Sequence, residues 1–135
     1  MLSKYTLKLL DELCAKSKDQ YSEGGILWTF VEAANQAHFR FKDSRREPQA
    51  GAMDVKQLGA WVQGALGGAS NPQELVAAVS TSIANELLRA LKDDLQVDDF
   101  LWAFEDGGTE MTGNIYMARN FDNRYFALEM WWSID

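Results

Sequence analysis

Apolar positions along the chain change period once, near residue 100, and that change divides the fold into two parts. In residues 3–18, Thr6, Leu9, Leu10, Leu13 and Cys14 recur at helical spacing, with Ser3 placed to cap a first helix. Gly24 and Gly25 break the chain. A second helix is expected over residues 26–41, on the stripe Leu27, Phe30, Val31, Ala34, Ala37, His38 and Phe41. A polar segment with Pro48 follows and reads as a loop. The third helix is expected over residues 52–66, with Val55, Leu58, Trp61, Val62, Ala65 and Leu66 inward and Gly67-Gly68 ending it. Asn71-Pro72-Gln73-Glu74 then supplies a cap, a proline in the first turn and an early acid, the start of a fourth helix. That helix runs to about residue 93 on Val76, Val79, Ile83, Leu87, Ala90 and Leu91.

Beyond this point the period is two. Phe100, Trp102 and Phe104 alternate with Leu101, Ala103 and Glu105, and Asp106-Gly107-Gly108 makes a turn. Met111, Ile115 and Met117 alternate with Thr112, Asn114 and Tyr116, and Asp122-Asn123 makes a second turn. In residues 124–134, Phe126, Leu128, Met130, Trp132 and Ile134 share one face. Tyr125, Ala127, Glu129, Trp131 and Ser133 share the other. Three strands joined by short turns form an antiparallel meander, wet on one face and covered on the other. The expected fold is α+β: about four N-terminal helices packed on a C-terminal three-stranded meander, in one domain spanning residues 1–135.

Composition narrows the compartment. Apolar residues make up 47% of the chain, ordinary for a globular protein. The single cysteine, Cys14, has no internal disulfide partner, which favours a reducing compartment. The N-terminal segment carries acids too early for a signal peptide, and no apolar run approaches the roughly 18 residues of a membrane span. A cytoplasmic location is expected.

Charge is uneven. Residues 1–50 hold eight Lys/Arg and seven Asp/Glu, net +1; residues 51–135 hold five and thirteen, net −8; the sum is −7. Between Lys92 and Arg119 lie Asp93, Asp94, Asp98, Asp99, Glu105, Asp106 and Glu110, with no base among them. Such a field repels nucleic acid and membranes and attracts basic partners, although acidity serves plain solubility as well. The one basic spot, Arg40, Lys42, Arg45 and Arg46 beside Phe39 and Phe41, is weak as a nucleic-acid signal and reads as a solvated loop.

Catalytic chemistry finds little support. His38 and Cys14 are the only histidine and cysteine, both on expected helix stripes, and no G-x-S-x-G elbow is present. A zinc site needs three or four such ligands. The acid run lacks EF-hand spacing, and the three glycine pairs lack phosphate-loop spacing. No cofactor, metal or catalytic residue is expected.

The positive sign is aromatic. Of five tryptophans, Trp102, Trp131 and Trp132 fall in the meander, and Trp131 and Trp132 must point to opposite faces. Trp131 then joins Tyr125 and Glu129 on the outer face, with Tyr116 beside them, unless the first helix or a second copy covers that face. Exposed aromatics ringed by acids resemble protein-binding hot spots. The leading expectation is a non-enzymatic, acidic protein-binding antagonist, such as an immunity protein or phage-encoded inhibitor. It would occlude the active site of a basic, nucleic-acid-acting enzyme through Asp98, Asp99, Glu105, Asp106, Glu110, Tyr116, Asp122, Tyr125, Glu129 and Trp131. No direct contact with nucleic acid or membrane is expected, and a homodimer stays open. The alternatives are an export chaperone for a secreted effector and a small ligand-binding or enzymatic domain.

Overall fold

The computed structural model describes residues 2–18, 25–33, 55–66, 73–106 and 110–133. Among them lie three helices, α1 (Lys4–Lys18), α2 (Val55–Leu66) and α3 (Gln73–Leu95). They contain four strands, β1 (Leu27–Ala33), β2 (Asp99–Asp106), β3 (Glu110–Arg119) and β4 (Arg124–Ser133). The class is α+β, as the change of period implies.

One expected element is wrong in kind. Residues 27–33 are not helical: they form β1, which pairs antiparallel with β4, from Leu27 opposite Trp131 to Ala33 opposite Tyr125. The run Leu-Trp-Thr-Phe-Val is rich in aromatic and β-branched residues, which fit a pleated surface better than a helix. All strand pairs are antiparallel and the order is β1-β4-β3-β2, so β4 becomes an interior strand. Residues 34–41 of that expected helix lie outside the described residues. So do Gly24, His38, the basic segment 40–46, the 67–68 and 107–108 glycine pairs, and the Asn71-Pro72 cap.

The helices cover one sheet face. Leu58, Trp61, Val62, Ala65 and Leu66 of α2 and Ala84, Leu87, Leu91 and Leu95 of α3 are buried. They join Ile115, Met117, Phe126, Leu128, Met130 and Trp132 of the sheet in one core. Burial of such side chains is the main stabilising term. Val79, expected inward, is exposed, and the buried positions in its place are Ser80 and Ala84. Small side chains there let α2 come close, and Gly59 of α2 faces the Thr81 backbone of α3.

α1 packs on α3. Thr6, Leu10, Leu13 and Ser17 are buried, while Leu9 and Cys14 are half-buried. Ser3 caps the helix as expected, its Oγ accepting from the Thr6 amide at 3.2 Å. The Ser17 hydroxyl donates to the Leu13 carbonyl (2.9 Å) and accepts from the Ile26 amide (2.7 Å), tying the helix end to the start of β1. Gly25, at φ 70°, makes the bend between them.

Asp94, near the end of α3, holds the other end of α1. Its Oδ2 accepts from the Ser3 amide (2.9 Å) and from the Thr6 hydroxyl. Burial pushes its carboxyl up, but the hydrogen bonds from Thr6 and Ser3 outweigh it, and the net shift is downward. A depressed carboxylate stabilises the fold above its unfolded pKa, and that contribution is lost as pH falls through the folded value. Asp94→Ala is expected to cost about 1–2 kcal/mol near neutral pH, discounted for partial exposure. The gap between native and variant urea midpoints should begin to narrow near about pH 4, where an unfolded-chain carboxylate protonates, and close as pH falls through the lower folded value. A gap independent of pH would show that the carboxylate does not hold α1.

Candidate functional site

Strand alternation leaves the other sheet face away from the helices, and the register arranges it in rows. One row runs Leu27, Trp131, Thr112; the next Thr29, Glu129, Asn114; the third Val31, Ala127, Tyr116, Leu101. The first helix does not cover this face, because its partners are α3 and α2.

The rows differ in burial. Ala127 is fully buried and Tyr116 is 5% exposed, and with half-buried Leu101 and Tyr125 they form a small second cluster. Toward β1 the face opens. Leu27 is 48% exposed and Val31 43%, Thr29 is exposed between them, and Trp131 and Glu129 are half-buried beside them.

The polar groups sit in the middle. Asn114 Nδ2 lies 3.4 Å from the Tyr116 hydroxyl, and Asn114 Oδ1 is buried with no hydrogen-bond partner among the described residues. Burial, then the Glu129 charge, raise the Tyr116 phenol to about 12, against a smaller lowering by Asn114. At neutral pH Tyr116 is therefore a neutral phenol. Among the described outer-face side chains the charges are Glu110 and Glu129, with no Lys or Arg. These groups suit recognition of a donor-bearing or cationic surface. Among the described residues no group of three or more His, Cys, Asp or Glu side chains is placed to hold a metal ion. None of their helices is long and apolar enough to cross a membrane.

The ten expected site residues do not form one patch. Tyr116, Tyr125, Glu129 and Trp131 share the outer face. Asp98 and Asp122 sit at one end of the sheet, by the β3–β4 turn, and the backbone of Asp99 is there too, in register with Ala118. The backbone positions of Glu105 and Asp106 are at the other end, next to Glu110, about 20 Å away along β2.

Several acids already have internal work. Asp94 holds α1, and Asp98 Oδ2 accepts from the Asn120 amide at 2.7 Å, closing the β3–β4 turn. Asp122 takes a forked pair of bonds from Arg119 (2.9 and 3.0 Å) and lies 3.5 Å from Arg124. The Arg119 hydrogen bond holds its carboxyl below the usual range, so its charge is largely matched. Arg119 also donates to the Leu95 carbonyl at the end of α3 (2.8 Å) and stacks over Phe121 and Phe126. Phe121, at the tip of this braced turn, is 76% exposed.

Sequence reasoning missed Leu27, Thr29 and Val31, because a helix reading gave them no sheet to share. Their alternation with Trp28 and Phe30 was the available signal. The fold is α+β, and the described side chains of this sheet face are half-open and include no Lys or Arg. No protein-family model matches the chain, and neither does any curated protein or solved structure.

Proposed function

We propose that this chain is a non-catalytic binding domain that antagonises a basic protein, an enzyme acting on nucleic acid being the class that fits best. The observation carrying this reading is the outer sheet face: exposed Leu27 and Val31 adjoin Trp131, Tyr125 and Glu129, with no Lys or Arg among the described side chains of that face. Aromatic and aliphatic side chains would supply an anchor, and Glu129 and Glu110 would substitute for phosphates toward the enzyme's cations. The surplus of acids over the second half of the chain, net −8 over residues 51–135, steers such a partner toward the domain.

The test is affinity capture from the native lysate at about 0.1 M and 0.5 M salt, followed by assay of the retained protein's own activity. One stoichiometric basic enzyme is expected, weakened at high salt and inhibited by the purified chain. Trp131→Ser should weaken inhibition by at least roughly tenfold, the scale of a binding hot spot, while keeping a cooperative unfolding transition. Inhibition unchanged by Trp131→Ser and by Glu129→Lys would overturn the reading, as would a retained protein whose activity the chain leaves intact.

A further inference from the structure

Phe121 is the most exposed large hydrophobic side chain among the described residues, at 76%. It stands among polar turn formers, Asn120, Asp122 and Asn123, between β3 and β4. A single exposed hydrophobe ordinarily needs no function. This one differs because the turn that carries it is fixed from several sides.

Asn123 takes the left-handed conformation, φ 54°, which asparagine tolerates better than most residues. Just before Phe121, the Asn120 amide donates to Asp98 Oδ2 at 2.7 Å. Just after it, Asp122 takes the Arg119 fork at 2.9 and 3.0 Å. Arg119 is itself tied to the Leu95 carbonyl of α3 at 2.8 Å, and its guanidinium lies 5.0 Å from the centre of the Phe121 ring. The backbone is thus held on both sides of Phe121, and a cation steadies the ring that solvent reaches. An aromatic side chain fixed in this way loses little freedom on docking, which is how pre-organisation contributes to affinity. The charges around it are ordered too. Arg119 and Arg124 face Asp122 and Glu32. Asp98 is exposed, and the amide bonded to it is uncharged, so its negative charge meets solvent beside the turn.

Resting on the protein-binding reading above, though on a different part of the surface, we infer that the β3–β4 turn is an anchor. Phe121 enters an apolar pocket of the protein partner, and Asp98 meets a Lys or Arg on the rim of that pocket. An apolar centre with a polar rim is the usual anatomy of such a contact. A phosphate-bearing surface, whether nucleic acid or membrane, fits less well, because two carboxylates, Asp98 and Asp122, belong to the same turn region.

The probe is the protein retained by the full chain in the affinity capture above, once purified, with its Kd measured by calorimetry at about 0.1 M and 0.5 M salt. Phe121→Ala should weaken Kd by at least roughly tenfold at both salts, the scale of a hot spot. Phe121→Leu, which keeps an apolar tip, should lose less. Asp98→Asn keeps an acceptor for the Asn120 amide and removes the charge. It should weaken Kd about threefold at the lower salt and have little effect at the higher one. Each variant should melt within about 4 °C of native, the loss of one exposed cation–π contact at most. Several results would sink the inference. They are a Phe121→Ala affinity within about twofold of native, an affinity loss that tracks a larger fall in melting temperature, and an Asp98→Asn effect equal at both salts. A sedimentation dimer of the purified chain that Phe121→Ala dissolves, or no retained protein at all, would sink it too. Its failure separates from that of the antagonist reading. If Trp131→Ser relieves inhibition and Phe121→Ala leaves it intact, only the turn anchor falls. If a protein binds through Phe121 and the chain leaves its activity unchanged, only antagonism falls.

Discussion

Gly113→Ala is expected to cost about 2–3 kcal/mol, at the upper end of what overpacking a core usually does. Gly113 is in the middle of β3 on the helix-facing side. A Cβ there would lie 2.7 Å from Trp102 Cη2, 2.8 Å from Trp61 Cε2 and 2.9 Å from Trp61 Nε1. Those distances are well inside contact, and neither neighbour is a flexible tip. Trp61 is 5% exposed on α2, and its ring meets Trp102 edge-on with centroids 6.3 Å apart. A glycine in a strand interior ordinarily weakens the strand, and here the missing side chain is the space an indole occupies. To admit a methyl group, α2 would have to lift from the sheet or the Trp pair would have to repack. Denaturant midpoints of the native and variant chains measure the cost. Trp61→Phe should recover part of it, because the smaller ring withdraws from the new methyl, so the two changes should be non-additive. A variant within about 0.5 kcal/mol of native, the range of ordinary surface changes, would mean that Trp61 does not rest on this backbone.

The two parts of the fold were not equally readable from sequence. The meander declares itself because β3 and β4 are ten residues each, and an alternation sustained that long cannot be taken for a helix. It placed Tyr116, Tyr125, Glu129 and Trp131 on one face and Phe126, Leu128, Met130 and Trp132 on the other, as the register has them. β1 is seven residues, and Leu27, Phe30 and Val31 satisfy a helical stripe while Leu27, Thr29 and Val31 satisfy a strand. What decides is pairing with β4, about a hundred residues downstream, a long-range contact with no local signature. The cost of the misreading fell on the site, since β1 carries its exposed aliphatic edge.

The acids of the sequence run are divided among several places in the fold. A run of acids in sequence is not a patch in space when the chain reverses between them. Asp94 is used at the start of α1, Asp98 at the β3–β4 turn and Asp122 in a fork with Arg119. Asp94 could be assigned only once α1 was known to begin beside the end of α3. Glu129, an isolated acid outside the Lys92–Arg119 run, ends nearest the open face.

Phe126→Ala is expected to cost about 3–5 kcal/mol, the usual toll for emptying a buried phenylalanine site. Phe126 is 2% exposed and touches three parts of the fold at once. Its ring stacks on Phe30 of β1, with centroids 6.0 Å apart and planes 13° from parallel, and the Arg119 guanidinium lies over it at 5.3 Å. Arg119 in turn holds the turn through Asp122 and the end of α3 through the Leu95 carbonyl. Removing the ring leaves a cavity where β1, the turn and the core meet. A Phe30→Ala/Phe126→Ala cycle should therefore show a coupling of about 0.5–1.5 kcal/mol, the range for a paired aromatic contact. Because Phe30 is the inward residue between Thr29 and Val31, the loss should be felt in β1 before the rest of the sheet. Amide exchange in Leu27–Ala33 should quicken more than in β3, the sign of local opening of β1. Additive costs, or exchange rising equally in β1 and β3, would show that β1 is held by its backbone ladder alone. With coupling, exposed Leu27, Thr29 and Val31 are presented by the core beneath them, and core variants would then weaken the proposed partner binding without touching the outer face.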